Sequence, residues 1–562
     1  STQGYSSAAS DVYKRQDEAM PDEDKMNLGK IYHMGKLESA ELILNRQAMA
    51  SHTFITGSTG TGKSNAVYHL LDEITKNGQT TFLVVEPAKG EYKNVFGNCT
   101  DVQVFGTNPR ETPLLRMNPF AFPENIHILE HIDRLVEIFN ACWPMYAAMP
   151  AVLKDAIERS YQKVGWDLRN SESEKGVFPT FFDLLDILPG VIEESHYSKD
   201  TQSDYVGALC TRVKSLTNGI YGSVLCAEDA LSDAEMFDQN VIVDLSRVGS
   251  METKSLLMGI LVMKLQEYRM CSSGMNSRLR HVTVLEEAHN LLRKTSAEQS
   301  QEGANLQGKS VEMLANAIAE MRTYGEGFII ADQAPGLLDM SVIRNTNTKI
   351  ILRLPDEEDR KLVGKSAALK EAQIDELSKL PLGVAAVYQN EWPEAVLCKI
   401  EAYPMPENAV YHKPSKMPHE INAEFVFGQL AVGKELEPLS SSEMEQLKLW
   451  LKRHEMMLKP EDGRYLERVF AGGELDVAKT RKAVFDFFGG IGTVVDYCAA
   501  AKKSLTPRKE FLEQLQGQYG LKAAAADWVL NSVISMGMSL NPDAKAVDNL
   551  RTNFEQQGGR VL

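Results

Sequence analysis

The stretch HTFITGSTGTGKS, residues His52 to Ser64, runs from an apolar segment through a glycine-rich loop to a Lys-Ser pair. Its last eight residues, Gly57, Ser58, Thr59, Gly60, Thr61, Gly62, Lys63 and Ser64, satisfy the pattern G-x-x-x-x-G-K-[ST]. Thr53 to Thr56 reads as a strand entering the loop. A helix-like stretch from Ser64 to Lys76 leaves it and stops at Asn77-Gly78. That order suits the chemistry of phosphate binding. Glycines let backbone N–H groups wrap a phosphate chain, and the start of a helix adds partial positive charge. A Gly/Ser-rich turn of no function would not need these flanks. The loop and the adjoining Asn65 are the expected nucleotide site, with Lys63 on the β- and γ-phosphates of ATP and Ser64 on Mg²⁺.

Outward from the loop, short apolar runs alternate with helical periodicity. TFLVVE (Thr81 to Glu86) and VQVF (Val102 to Phe105) read as strands. Residues 118–235 instead carry apolar positions at helical spacing, through Ile126 to Phe139 and Ala151 to Val164. Strands resume with VIVDL (Val241 to Leu245), VTVLE (Val282 to Glu286), GFIIA (Gly327 to Ala331), KIILRL (Lys349 to Leu354) and GVAAVY (Gly383 to Tyr388). Such alternation implies an α/β fold with a parallel, doubly wound sheet. The expected organisation has a disordered, non-native leader at 1–25 and the first part of the sheet domain at 26–117. A helical insertion at 118–235 precedes the second part of that domain at 236–405. A linker at 406–424 leads to a C-terminal α-helical domain at 425–562, with helical stretches near Ser441 to Met457 and Pro507 to Gln518. The Gln-, Ser- and Gly-rich stretch from Lys294 to Ser310 is expected to be a mobile loop.

Composition narrows the class. At 562 residues, 43% hydrophobic and 24% charged, the chain has enough apolar material for more than one core, which argues against wholesale disorder. Seven cysteines lie far apart with no CxxC pair, so neither a zinc site nor a disulfide framework is indicated. No apolar run approaches the roughly 18 residues a bilayer requires, and a cytoplasmic protein with no membrane partner is expected. The net charge of −17 runs against the Lys/Arg excess typical of phosphate-backbone binding, so any contact with DNA has to be locally basic.

A P-loop enzyme also needs a carboxylate on the metal side and a second acid to orient water. VTVLEE supplies both, Glu286 for the metal and Glu287 for water. Asp244, which follows the apolar run VIV, is the competing metal-side acid and otherwise a structural strand end. Gln333 follows the GFIIA strand, where a polar side chain can sense the γ-phosphate or simply hold a turn. Arg322, Arg344 and Arg353 are candidate cations for the transferred phosphoryl group. Glu91 and Tyr92, in EPAKGEY, stand either near the nucleotide or in a structural turn.

Taken together, HTFITGSTGTGKS, EPAKGEY (Glu86 to Tyr92), LEEAHNLL (Leu285 to Leu292) and MRTYGEGFIIADQAP (Met321 to Pro335) resemble the HerA-type DNA translocases of the HerA/FtsK branch of RecA-like ATPases. The resemblance spans about residues 28 to 400. It implies a homohexameric ring with ATP at subunit interfaces and double-stranded DNA through the centre. It also implies a catalytic glutamate at Glu287, an arginine acting across the interface at Arg322, and a sensing glutamine at Gln333. Two departures stand out. The N-terminal β-barrel by which the family docks a nuclease finds no room before Lys30, so that a natural start further upstream is one expectation, and the helical tail from about 420 lies outside the resemblance. The expected function is an ATP-driven DNA translocase or helicase working with a nuclease or an antiphage-defence effector. A conjugative or secretion-type coupling ATPase and an ATP-gated assembly scaffold are the rival readings.

Overall fold

The computed structural model describes residues 20–227, 229–295, 301–405, 407–414, 423–431, 433, 447, 451, 459–470 and 472–562. Two compact units divide the chain, Ser1–Glu172 with Val177–Lys413 and Ser173–Gly176 with Pro414–Leu562.

The first unit is built on one sheet. Its strands are β1 (Lys25–His33), β2 (Lys36–Asn45), β3 (Thr53–Thr56), β4 (Thr81–Glu86), β5 (Val102–Gly106), β6 (Asn240–Asp244), β7 (His281–Glu286), β8 (Glu326–Asp332), β9 (Thr348–Ile351), β10 (Val384–Gln389) and β11 (Val396–Ile400). They lie in the order β2-β1-β11-β10-β9-β3-β8-β7-β4-β6-β5. From β9 to β5 every pairing is parallel. β3, β7 and β8 are buried along their whole length, which is why they read as unbroken apolar runs. The register sets Asp332 beside Thr56, Ala331 beside Glu286, and Glu86 beside Asp244. The acids that end β4, β6, β7 and β8 therefore share one level with the start of the glycine-rich loop.

The sheet is mixed, not wholly parallel. β10 runs antiparallel to β9, and β11, β1 and β2 continue the antiparallel edge. The GVAAVY run was expected in the parallel set. A buried strand is apolar in either direction, so its composition carries no polarity. β1 and β2, a hairpin turning through Met34 and Gly35 at positive φ, were not expected at all. Strand β1 begins at Lys25, inside the stretch read as a leader. Just before it, buried Asp24 accepts hydrogen bonds from Gln47 (3.0 Å) and Arg278 (3.2 Å). The rest of that stretch, residues 1–19, lies outside the described residues.

Helix α1 (Lys63–Thr75) follows the loop. Its C-terminal carbonyls are closed by Arg46, only 3% exposed, whose guanidinium donates to Glu73 O (2.8 Å) and Ile74 O (3.2 Å). Within 118–235, α2 (Ile128–Cys142), α3 (Met149–Lys163) and α4 (Phe181–Glu194) contribute Ile132, Phe139, Leu153 and Leu184 to the same apolar core as the sheet. Helices α5 (Met251–Ser272) and α6 (Gln301–Glu320) complete the layer.

Residues 301–310, expected to be loop, form the first half of α6, while 296–300 lie outside the described residues. Glycines and glutamines masked the periodicity there. Gln307 donates to Ala141 O on α2 (3.0 Å), Ser310 donates to Glu137 (2.7 Å), and Val311, Leu314 and Ile318 bury behind them. Tertiary anchoring outweighs the weak local propensity.

In the second unit, α7 (Ala423–Ala431), α8 (Pro460–Phe470), α9 (Val477–Phe487), α10 (Gly490–Ala501), α11 (Pro507–Tyr519), α12 (Ala523–Leu540) and α13 (Ala544–Gln556) enclose a core. There Phe427 stacks on Phe487 at 5.5 Å, and Val529, Leu530, Val533 and Ile534 form the buried stripe of α12. The helical stretch expected near Ser441 to Met457 lies outside the described residues apart from Leu447 and Leu451. Part of the expected linker is bound to the first unit: the N–H groups of Tyr411 and His412 donate to Asn94 (2.9 Å) and Asn98 (3.1 Å). Among the described residues no single helix is long and apolar enough to cross a membrane. All seven cysteines are free.

Candidate nucleotide site

The glycine-rich loop joins β3 to α1 at the carboxyl ends of the parallel strands, where open α/β sheets bind ligands. Its shape is fixed from both sides. Ser58 N–H donates to Arg353 O (3.0 Å), Thr61 Oγ1 donates to Ser58 O (2.7 Å), and Gly383 N–H donates to Thr61 O (3.1 Å). A Cβ on Gly57 would lie 2.7 Å from Thr61 Oγ1 and 2.8 Å from Leu352 Cβ. Gly62, at φ 101°, caps α1, and a Cβ added to it would lie 3.2 Å from Gly383 Cα. The loop thus tolerates no side chain at these two positions.

A cavity of about 340 Å³ opens over the loop, bordered by Lys63, Ser64, Glu86, Glu286, Glu287 and Gln333 among others. Lys63 Nζ is 3.0 Å from Glu286 Oε2 and 4.0 Å from Glu287 Oε1. Burial disfavours the lysine charge, but Glu286, Glu287 and Asp332 outweigh it and hold the ammonium pKa above its ordinary value. The other oxygen of Glu286 accepts the Tyr92 hydroxyl. Glu287 is pushed up by burial and by Asp332, against the pull of Lys63 and His289. Gln333 Oε1 accepts the Thr59 hydroxyl at 3.0 Å, which brings the segment just after β8 onto the loop.

The remaining expected residues fall in distinct places. Asp244 ends β6, two strands beyond β7, with Lys93 Nζ 2.7 Å away and the Ser246 N–H donating at 2.9 Å. Burial works against its ionisation, yet these two partners keep its carboxyl below the usual range. Asn65 borders the cavity with both ends of its amide engaged: Nδ2 donates to Glu401 O (3.1 Å) and Oδ1 accepts the Tyr403 N–H (2.7 Å). It anchors the chain that follows β11. Arg322 and Arg344 are exposed and precede β8 and β9, at the end of the sheet away from the loop. Arg353 serves the loop through its carbonyl.

Three further residues shape the site. Tyr92 opens the short helix Tyr92–Phe96, and its N–H, with that of Glu91, donates to Glu86 (3.2 and 2.8 Å). Burial pushes Glu86 up to about 7. Asp332, fully buried at the end of β8, and His289, just past Glu287, are not among the residues the sequence motifs pick out. The signal for Asp332 was available, since GFIIAD ends an apolar run in an acid just as VIVD and VTVLE do. His289 has no such signal, because only the fold places its ring 2.8 Å from Asp332.

Known proteins are similar to this chain in sequence and in fold. A probable helicase of Methanocaldococcus jannaschii is 23% identical over 414 residues, covering 67% of this chain and 72% of its own. A protein named DNA double-strand break repair helicase HerA, from Sulfolobus acidocaldarius, is 26% identical over 387 residues, covering 66% and 69%. Among solved structures, VirB4 of Thermoanaerobacter pseudethanolicus shares the fold with a TM-score of 0.50 at 18% identity, over 68% of this chain and 98% of that one. Residues 26–264 match the family model described as helicase HerA, central domain. With its phosphate loop, paired acids and strand-end glutamine gathered in one crevice, this chain is similar to the HerA-type P-loop ATPases, and the likeness to the HerA central domain covers residues 26–264.

Proposed function

We propose that this protein is an ATP-hydrolysing, homohexameric translocase or helicase on double-stranded DNA. We further propose that it works in the cytoplasm with a nuclease or a defence effector. The observation that carries the reading is the meeting of Lys63, Glu286, Glu287 and Gln333 over one loop, while Arg322 stands at the opposite end of the same strands. Arg322 cannot reach this site within its own chain, and a ring would supply it from the neighbouring subunit.

The donor set fits ATP with Mg²⁺. The loop N–H groups and Lys63 would hold phosphates, and Ser64 and Glu286 would hold the ion, which neutralises charge on the phosphate chain when bound. Asp244 is the poorer metal-side acid, because it ends a strand two places beyond β7, pairs there with Lys93 and does not border the cavity over the loop. In this reading Lys63 exchanges Glu286 for phosphate, Tyr92 keeps Glu286 in place, Glu287 polarises the attacking water, and Gln333 senses the γ-phosphate.

The ATPase rate is the direct test. Duplex DNA should stimulate it strongly, and the stimulation should fall by orders of magnitude between about 50 and 200 mM salt, as phosphate contacts require. Turnover indifferent to any nucleic acid would sink the motor and favour an ATP-gated scaffold.

A further inference from the structure

Glu287 sits at φ 46° and ψ 51°, in the left-handed region that residues with a Cβ seldom occupy. Such a conformation persists only where the surroundings over-determine it, and here they can be named. The Glu287 carbonyl accepts the Asn290 N–H (3.0 Å) and its side-chain amide (2.8 Å), which closes the turn locally. A second restraint comes from another strand. His289 donates its backbone N–H to Asp332 Oδ2 (2.9 Å), and its ring Nδ1 lies 2.8 Å from the same oxygen. Asp332 has no exposure, and its Oδ1 accepts the Ala334 N–H (2.9 Å). The turn that carries Glu287 is therefore stapled to the end of β8, directly beside Gln333, which in turn accepts from Thr59 on the phosphate loop. His289 Nδ1 is also 3.6 Å from Glu287 Oε2, so the glutamate lies between Lys63 on one side and His289 on the other. His289 does not border the cavity above the loop.

We infer that His289 is a positioning residue that ties Glu287 to the strand end carrying Gln333, so that the water-orienting acid and the phosphate-sensing amide keep one relative geometry. The inference rests on the role proposed for Glu287. Without contact with the nucleotide, His289 acts on turnover and not on binding, and its action passes through Asp332. A staple that merely stabilised the fold would change melting temperature and leave the chemistry alone.

Steady-state ATPase kinetics, fluorescent-nucleotide binding and thermal melts on the full chain separate these cases. His289→Leu should lower kcat by about tenfold or more, the usual effect of losing a residue that orients a reactive group, with KM and nucleotide affinity little changed. His289→Asn should restore most of kcat, because its Nδ2 takes nearly the place of Nδ1 opposite Asp332. The losses in His289→Leu and Gln333→Ala should not multiply in the double variant, since both break one link. Wild-type kcat in His289→Leu, an Asn variant no better than Leu, or multiplying losses would each overturn the inference. Full turnover by Glu287→Gln would instead remove the role of Glu287 itself, and the inference with it.

Discussion

Glu286 and Asp244 have the same local signature, an apolar run ending in an acid, and the fold separates them. Sheet order places β7 two strands closer to β3, so Glu286 meets Lys63 while Asp244 meets Lys93. Asp244→Asn should therefore cost stability, leaving Lys93 half-buried without its partner, while ATPase kcat falls by no more than about twofold. Loss of turnover with an unchanged melting temperature would reverse the two acids. Glu286, Glu287 and Gln333 were legible because each directly follows a recognisable strand. EPAKGEY points to Tyr92 and the acid that ends GFIIAD points to Asp332, but their partners are reached by way of other strands, and for His289 no sequence spacing encodes the contact. His52 belongs to the same hidden class. Its Nδ1 accepts the Phe328 N–H (2.9 Å), its Nε2 faces Ala319 O (3.1 Å), and burial pushes its pKa down from 6.5 to about 4. Unfolded His52 takes up a proton below about 6.5, whereas the folded residue does so only near 4. Stability is thus lost as pH falls through that window, by about 3 kcal/mol at most. Melting temperatures of the wild type and His52→Asn should converge as pH drops through it. A difference independent of pH would contradict the assignment.

The parallel strands were nearly all visible in the sequence, since full burial on both faces leaves a continuous apolar run. The antiparallel direction of β10 was not visible, and neither was the β1–β2 hairpin, whose KLESAELILN segment mixes polar and apolar residues at a half-exposed edge. Helix α6 was half hidden because Gln307 and Ser310, ahead of the buried Val311, Leu314 and Ile318, fasten it to α2 by hydrogen bonds. The junction of loop and α1 shows the opposite case, in which sequence dictates geometry outright. Gly62 combines φ 101° with a Cβ direction 3.2 Å from Gly383 Cα, so a methyl group meets both backbone strain and backbone atoms that cannot swing aside. Gly62→Ala should abolish binding of a fluorescent ATP analogue while circular dichroism keeps its helical signal. Retained affinity would mean that the loop re-forms around a different cradle.

A ring cannot be read from strand ends alone, yet the sheet sets a condition on it. Arg322 precedes β8 and the phosphate loop follows β3, its parallel neighbour, so the length of β8, roughly 20 Å, separates the arginine from the cavity of its own chain. Only a head-to-tail interface, with the start of β8 on one subunit facing the loop of the next, brings the two together. The net charge of −17 does not oppose such packing if the exposed Arg322 and Arg344 meet the acid-rich crevice of the neighbour. Mixed rings give a sharp test. Lys63→Ala removes a subunit's own cradle, and Arg322→Ala removes the cation it would lend, so each variant alone should be inactive. Co-assembled in equal amounts, an Arg322→Ala cradle beside a Lys63→Ala neighbour forms a complete site, and about one quarter of interfaces have that arrangement whatever the ring size. ATPase activity should therefore reappear on mixing, up to about a quarter of the wild-type rate. If Arg322 served its own subunit, no mixture could rebuild a site, and the mixed sample would stay as inactive as its parents.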